Sequence, residues 1–463
     1  MKKIVRMGLA AALLATGGIT LYGSDTTGRG LLSGHKEKKA ERQVEQCDVV
    51  PGGKSRGIVK EHKDQGPTLE EHIDANKTFK PIVNHNLKGK VLDFTFNHGK
   101  DYRIYSQALG QRRDLYIYLP PGYDRNTAYP VMFYLHGIFT DEKSFVNDVV
   151  THLDRAICDG KIPPMIAVAP DGSFDGNPMK LEPGSFFING PRGDYQDWVV
   201  KDVWKFVVRN FNIRPEPKLH IIAGASMGGF GAYNTAIKYP WLFGTVIGVL
   251  PALNIRWCDQ KGNYHADFDP YNWGWRNRHD NPNEVLAKIS HFKIRMEDFM
   301  YPVFGTDFSA IVLAHQENPI ELIDAYRLRN GDLDMFIGYA CKDEFNLDAQ
   351  AESFIYLARS RGIAVAVHKV PNGTHSEQTA RGMIPNVMEW LGERMANNQT
   401  MIPAYPGGLI TGEAQPQAAP VTPAKPTTPA KPGTPAKPVT DTDAVSLPPI
   451  SMTPPTAPTK LPD

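Results

Sequence analysis

Between residues 85 and 398 the chain alternates short, continuously apolar runs with longer segments whose apolar residues recur at helical spacing. The runs are Val131 to Leu135, Met165 to Ala169, Leu219 to Ala223, Thr245 to Leu250, Met335 to Ala340 and Ala364 to Val370. Each is too short for a helix of ordinary length and leaves almost no polar position to face water. Each therefore predicts a strand buried on both faces. Val91 to Phe96 and Asp114 to Leu119 predict an opening antiparallel pair, the second closed by the turn Pro120-Pro121-Gly122-Tyr123-Asp124. Trp198 to Phe211, and the stretch carrying Phe230, Tyr233 and Ile237, show helical spacing. Such alternation predicts the α/β class, a mostly parallel central sheet with helices on both faces. In that architecture chemistry gathers at the carboxyl ends of the strands.

The flanks read differently. Lys2, Lys3 and Arg6 precede an apolar run from Met7 to about Leu14, the layout of a secretory signal and too short to span a membrane. This predicts a signal peptide over 1–23, with small residues near Ala15 and Gly23 as alternative cleavage sites and an uncleaved anchor as the alternative. A polar N-terminal extension follows over 24–84, then the folded domain over 85–398. Beyond Pro403 the unit Thr-Pro-Ala-Lys-Pro recurs at 422, 428 and 434. A segment with so little to bury predicts a proline-rich, low-complexity tail over 399–463, a flexible tether whose lysines suit contact with an acidic cell envelope. The expected location is secreted or periplasmic, with no stable membrane insertion once the signal is removed.

Composition narrows the function classes. With 51 basic and 50 acidic residues, no net field favours nucleic acid or an anionic membrane. Cys47, Cys158, Cys258 and Cys341 lie too far apart for the short spacings of zinc sites, and their pairing in an oxidising compartment stays open.

The chemistry centres on Gly224-Ala225-Ser226-Met227-Gly228-Gly229, set between a buried run and a helical one. A strand that turns directly into a helix forces its central residue into a strained conformation. Glycines two before and two after remove the side chains that would collide in that bend. Ser226 is thereby presented as a nucleophile. It needs an imidazole as base and a carboxylate to orient the imidazole. Asp343 follows the run Met335 to Ala340, and His375 follows the last run, both at the expected sheet end. The rivals are Glu344 for the acid and His291, His315 and His368 for the base. The order Ser226, Asp343, His375 is that of an α/β-hydrolase. An oxyanion hole is expected from the backbone amides of Met227 and of Ile138, in the loop after Leu135, with Gly137 as rival. His136 is read as organising that loop.

These residues carry a resemblance. The run Arg113-Asp114-Leu115-Tyr116-Ile117-Tyr118-Leu119-Pro120-Pro121-Gly122-Tyr123 is similar to the opening of the esterase-D-type α/β-hydrolases. So are Tyr129-Pro130, Leu135-His136-Gly137, Gly-Ala-Ser-Met-Gly-Gly at 224–229, Lys342-Asp343-Glu344-Phe345 and Gly373-Thr374-His375-Ser376. The resemblance spans about 100 to 395. That family includes feruloyl and acetyl-xylan esterases, S-formylglutathione hydrolases and mycolyltransferases. It implies the same triad, an acyl-enzyme on Ser226, and neither metal nor cofactor.

Substrate choice should lie in the stretch from Trp257 to Asp332, rich in aromatics. Trp257 and Trp273 are expected to form a platform for an acyl or sugar group, against the plainer alternative that they pin the insertion to the sheet. Export disfavours a glutathione thioester, so the expected substrate is a carboxylic ester on a polysaccharide, feruloyl or acetyl, or a small ester. A mycolyltransferase-like acyl transfer and a non-catalytic binding protein on a hydrolase scaffold are the alternatives.

Overall fold

The computed structural model describes residues 87–97, 99–176, 182–275, 281–289 and 292–401. The expected signal peptide, the N-terminal extension and, from residue 402 onward, the proline-rich tail lie outside the described residues, as do Cys47 and the rival base His291.

The main sheet has eight strands: β1 (Lys90–Phe94), β2 (Leu115–Leu119), β3 (Val131–Leu135), β4 (Ile166–Pro170), β5 (His220–Ala225), β6 (Thr245–Val249), β7 (Asp334–Ala340) and β8 (Ala366–Val370). Their spatial order is β1-β2-β4-β3-β5-β6-β7-β8. β2 runs antiparallel to both its neighbours, and the six strands from β4 to β8 are mutually parallel. All eight strands anticipated from the hydrophobic pattern are present, each within a few residues of its expected bounds.

Successive residues of a strand point to opposite faces, and both faces here are covered. Leu115, Ile117 and Leu119 join a core with α3 (Met227–Lys238) and α6 (Leu347–Ser360), through Phe230, Tyr233, Ile237 and Phe354. Tyr116 and Tyr118 join a second core with α1 (Val150–Cys158) and α7 (Glu377–Met401), through Leu153, Val387 and Leu391. The helix α7 carries the folded unit to Met401, three residues past the boundary expected from composition. The helical stretch expected over Trp198 to Phe211 ends in α2 (Trp204–Asn210), and the insertion between β6 and β7 holds α4 (Phe308–Glu317) and α5 (Pro319–Ala325).

The chain leaves β3 toward β4 on one side and returns to β5 on the other. The loops after β3 and β5 thus diverge and open a crevice at their carboxyl ends. Leu135 stands opposite Gly224 in the β3–β5 register, so the segment His136-Gly137-Ile138 emerges beside Ser226.

Candidate active site

Ser226 sits between β5 and α3 with φ 53° and ψ −114°, a left-handed conformation that a side-chain-bearing residue adopts at a cost of order 1–3 kcal/mol. The bend is held by its neighbours. The Ser226 amide donates to the Val249 carbonyl at 2.9 Å, and the Ser226 carbonyl accepts from the Phe230 amide at 3.0 Å. The glycines are required by contact. A Cβ on Gly224 would lie 2.2 Å from the Gly228 carbonyl carbon, and one on Gly228 would lie 2.0 Å from the Leu135 carbonyl oxygen. Strand, turn and helix meet with no room for a methyl group.

The structure brings the three residues selected from sequence into one line. Ser226 Oγ lies 3.0 Å from His375 Nε2, and His375 Nδ1 lies 2.8 Å from Asp343 Oδ2. Two backbone ties join the loops after β7 and β8: the Cys341 amide donates to the Val370 carbonyl and the Lys342 amide to the Gly373 carbonyl. Asp343 Oδ1 accepts from the Phe345 amide at 2.9 Å, which fixes the carboxylate so that Oδ2 faces the imidazole. Asn346 takes a left-handed conformation, φ 54°, and its amide donates to the Asp343 carbonyl, closing the turn. Glu344, the rival acid, accepts the His375 backbone amide at 2.8 Å instead of meeting the ring. It positions the histidine's main chain while Asp343 meets its side chain.

The electrostatics follow. The Asp343 side chain is 1% exposed and that of His375 12%. Burial by itself would push the His375 pKa down. The charge of Asp343 and its hydrogen bond, then the charge of Glu344, outweigh burial and hold the imidazole above its ordinary value. The Phe345 ring meets His375 edge-on at 4.9 Å and screens one side of it.

Met227 opens α3, so its amide is one of the four that no intrahelical carbonyl can satisfy, at the positive end of the helix. Ile138 and Met227 both line the cleft with Ser226, and an added Cβ on Gly137 would lie 3.8 Å from Ser226 Cβ. The loop bearing Ile138 is fastened by His136. Its Nε2 accepts from the Gly172 amide at 2.8 Å, which places the proton on Nδ1 facing the Gly137 carbonyl at 2.8 Å. Thr140 Oγ donates to the same carbonyl at 3.0 Å. The other two rival bases are elsewhere: His368 lies within β8, and His315 lies on α4 beside Glu321 and Arg256.

The cleft together with the solvent at its mouth takes up about 500 Å3, with Ile138, Phe186, Ile255, Leu286, Phe299 and Phe345 on its walls. The expectation for Trp257 and Trp273 is corrected here. Trp257 is fully buried against Phe268, and Trp273 packs on Phe268, Trp275 and Tyr356. Trp257 stands opposite Trp275 in a two-residue strand pair, which turns its ring into the insertion's own core. Neither residue lines the cleft; they hold the insertion to the domain. The insertion reaches the cleft through Ala252, Ile255, Tyr264, Leu286, Phe299 and Met300. Phe186, from a loop without any period, had no signal in the sequence. Among the described residues, no three His, Cys, Asp or Glu side chains gather as a metal-binding group.

Comparison with known proteins covers the same ground. The Esterase family model matches residues 106–380. An esterase of Mycobacterium tuberculosis is 33% identical over 139 residues, 30% of this chain and 29% of that protein. The S-formylglutathione hydrolase of Bos taurus is 28% identical over 173 residues, 34% of this chain and 59% of that protein. This chain thus spans less than a third of the first relative's length and under two thirds of the second's. Among solved structures, a ferulic acid esterase aligns with TM-score 0.48 and 17% identity, over 67% of this chain and 100% of that one. The S-formylglutathione hydrolase from Agrobacterium tumefaciens aligns with TM-score 0.47 and 16% identity, over 67% and 98%. The family match covers more than half the chain and every segment that builds the cleft's serine, acid and histidine, and the chain belongs to the Esterase family.

Proposed function

We propose that this protein is an exported serine esterase that hydrolyses a carboxylic ester through an acyl-enzyme on Ser226. The observation that carries the reading is the hydrogen-bonded line Ser226, His375, Asp343 at the mouth of an apolar cleft. Ser226 Oγ attacks the ester carbonyl as its proton passes to His375 Nε2, and Asp343 stabilises the imidazolium that forms. The carbonyl oxygen gains charge and is met by the amides of Met227 and Ile138. Collapse of this intermediate expels the alcohol, which takes the proton from Nε2. Water then repeats the sequence on the acyl-serine, and His375 first removes and then returns a proton. Each proton taken is given back, so the cycle needs no cofactor.

Two features of the substrate are part of the proposal. The cleft's apolar walls suit an acyl group with an apolar body, and an alcohol on a polysaccharide would stay in solvent outside it. Export rests on the basic start and apolar run of residues 2–14. The test is a burst experiment with a p-nitrophenyl ester. The wild type should release one equivalent of nitrophenol in a fast phase and bind a fluorophosphonate covalently at Ser226. Ser226→Ala should do neither while keeping its melting temperature; a burst in that variant would refute the assignment.

A further inference from the structure

Phe186 and Phe187 both adopt left-handed backbone conformations, each with φ 54°. One bulky residue in that region is an outlier, and two in succession require strong outside restraint. The restraint is visible. The Ser185 amide and Oγ both donate to the Gly172 carbonyl, at 3.0 and 2.7 Å, and the Phe187 amide donates to Ser185 Oγ at 3.1 Å. The Phe187 ring fills the space over Gly172, where a Cβ would lie 2.3 Å from it, and its own Cβ lies where a Cβ on Gly231 of α3 would come within 2.8 Å. Phe187 is a wedge between the loop after β4 and α3. Its neighbour Phe186 is thereby fixed in the cleft wall beside Ser226.

The Phe186 ring divides the cleft from the core behind it. It meets Phe299, which shares the wall, at 5.6 Å between ring centres. It also meets Phe230 at 5.2 Å and Phe304 at 6.2 Å, both buried and neither lining the cleft. The polar side chains of the far wall are already engaged. The Tyr264 hydroxyl donates to the Phe345 carbonyl and accepts from Gln350 Nε2 at 3.3 Å, and Gln350 Oε1 accepts from the Asn254 amide at 3.2 Å. A hydroxyl or methoxy group on the acyl moiety would lose water there, with the Tyr264 proton, one N–H of Gln350 and its Oε1 already committed.

Building on the serine-esterase reading, we propose that Phe186 is the residue that sets the depth of the acyl pocket, and that the pocket takes an unsubstituted alkyl or aryl acyl group. Each methylene that enters the apolar cleft should raise kcat/KM about threefold to fourfold until the chain meets Phe186. A polar ring substituent should lower it roughly 5- to 150-fold, the cost of a buried polar group left without a partner.

The experiment measures kcat/KM for p-nitrophenyl esters from acetyl to dodecanoyl with wild type, Phe186→Leu and Phe186→Ala. It also compares methyl cinnamate with methyl 4-hydroxycinnamate on the wild type. The expected result is a rise with chain length to a maximum, a maximum displaced to longer chains in both variants, and preference for the unhydroxylated cinnamate. Phe186→Leu keeps an apolar side chain and serves if the alanine variant does not fold, and the cinnamate pair needs no variant. A wild-type profile that falls from acetyl onward, an unshifted maximum in Phe186→Leu, or equal turnover of the two cinnamates would overturn the proposal while leaving Ser226 as nucleophile. Absence of hydrolysis across the whole panel would overturn both.

Discussion

Asp343 and Glu344 are adjacent in sequence and both touch His375, yet they should respond very differently to loss of charge. In Asp343→Asn the Oδ1 contact to the Phe345 amide can persist, which leaves the amide nitrogen facing His375 Nδ1 at about the present 2.8 Å. An N–H there can only donate, so Nδ1 must accept and the ring proton moves to Nε2, the atom that has to take the Ser226 proton. The imidazole then stands in the wrong tautomer, and a group 1% exposed leaves no room for water to restore it. A loss of about 10⁴-fold in kcat is expected. Glu344→Gln retains an oxygen for the His375 amide and removes only a charge that helps hold the imidazole pKa up. Its kcat at alkaline pH should change less than about tenfold, or about 1.4 kcal/mol. The base works as the neutral imidazole, so activity is lost as pH falls through its pKa, which Asp343 and Glu344 raise. Removing the Glu344 charge should therefore move the acid limb of the profile to lower pH. Rates of p-nitrophenyl ester hydrolysis from about pH 5 to 9 measure both effects. If Glu344→Gln fell as far as Asp343→Asn, or its acid limb moved upward, the division of labour argued here would be wrong.

Three further outcomes follow from other parts of the molecule. Gly228→Ala should abolish activity and cost about 1–3 kcal/mol or more in stability, since its Cβ would collide with the β3 backbone; a melting temperature equal to wild type would contradict the contact. Trp257→Ala should cost about 3–5 kcal/mol in denaturant unfolding while the ratio of kcat/KM for long and short acyl esters stays put, because the ring lies in the insertion's core. Asp114 has its pKa pushed up to about 6 by burial, which the Phe96 amide partly relieves and the nearby Asp171 charge reinforces. Between about pH 4 and 6 the folded protein then holds a proton that the unfolded chain has released, so stability falls as pH rises through that window. Asp114→Asn should accordingly raise the melting temperature at pH 8, by up to ~3 kcal/mol of stability, and leave it nearly unchanged near pH 4; a larger gain in acid than in base would reverse the sign of the argument.

What could be read beforehand follows from how locally each feature is specified. Strands buried on both faces leave continuous apolar runs, so Val131 to Leu135 was legible at its bounds. Placement of the serine, acid and histidine was legible too, because in a parallel sheet the carboxyl ends of neighbouring strands must lie side by side. Ser226, Asp343 and His375 each follow such an end directly, and the motif glycines announce the one bend tight enough to exclude a Cβ. The loop that carries Ile138 was accessible too, since it follows the strand that pairs with the serine's own.

The acyl pocket obeys no comparable rule, and for a physical reason. Much of its wall, Ile138, Phe186, Ile255, Tyr264 and Phe345 among it, comes from single residues in irregular segments, and in such segments neither a period of two nor of 3.6 tells which side chain faces inward. Trp257 and Trp273 have the size and chemistry of a binding platform, but a ring of that size is also what holds an insertion with few strands to its domain. The insertion's Trp257–Trp275 pair spends these rings on its own core, and Ile255, Leu286, Phe299 and Met300 are what the insertion presents to the cleft. Phe186 is the extreme case. Its conformation is imposed from outside, by the Gly172 carbonyl, the gap at Gly231 and the wedge of Phe187, all distant in the chain or invisible as a pattern. Serine, acid and base can be found from sequence because the sheet brings strand ends together. A residue held in place by tertiary contacts against its own preference can only be found by looking at those contacts, and the rigidity they impose is why such a residue can act as a ruler for the acyl chain.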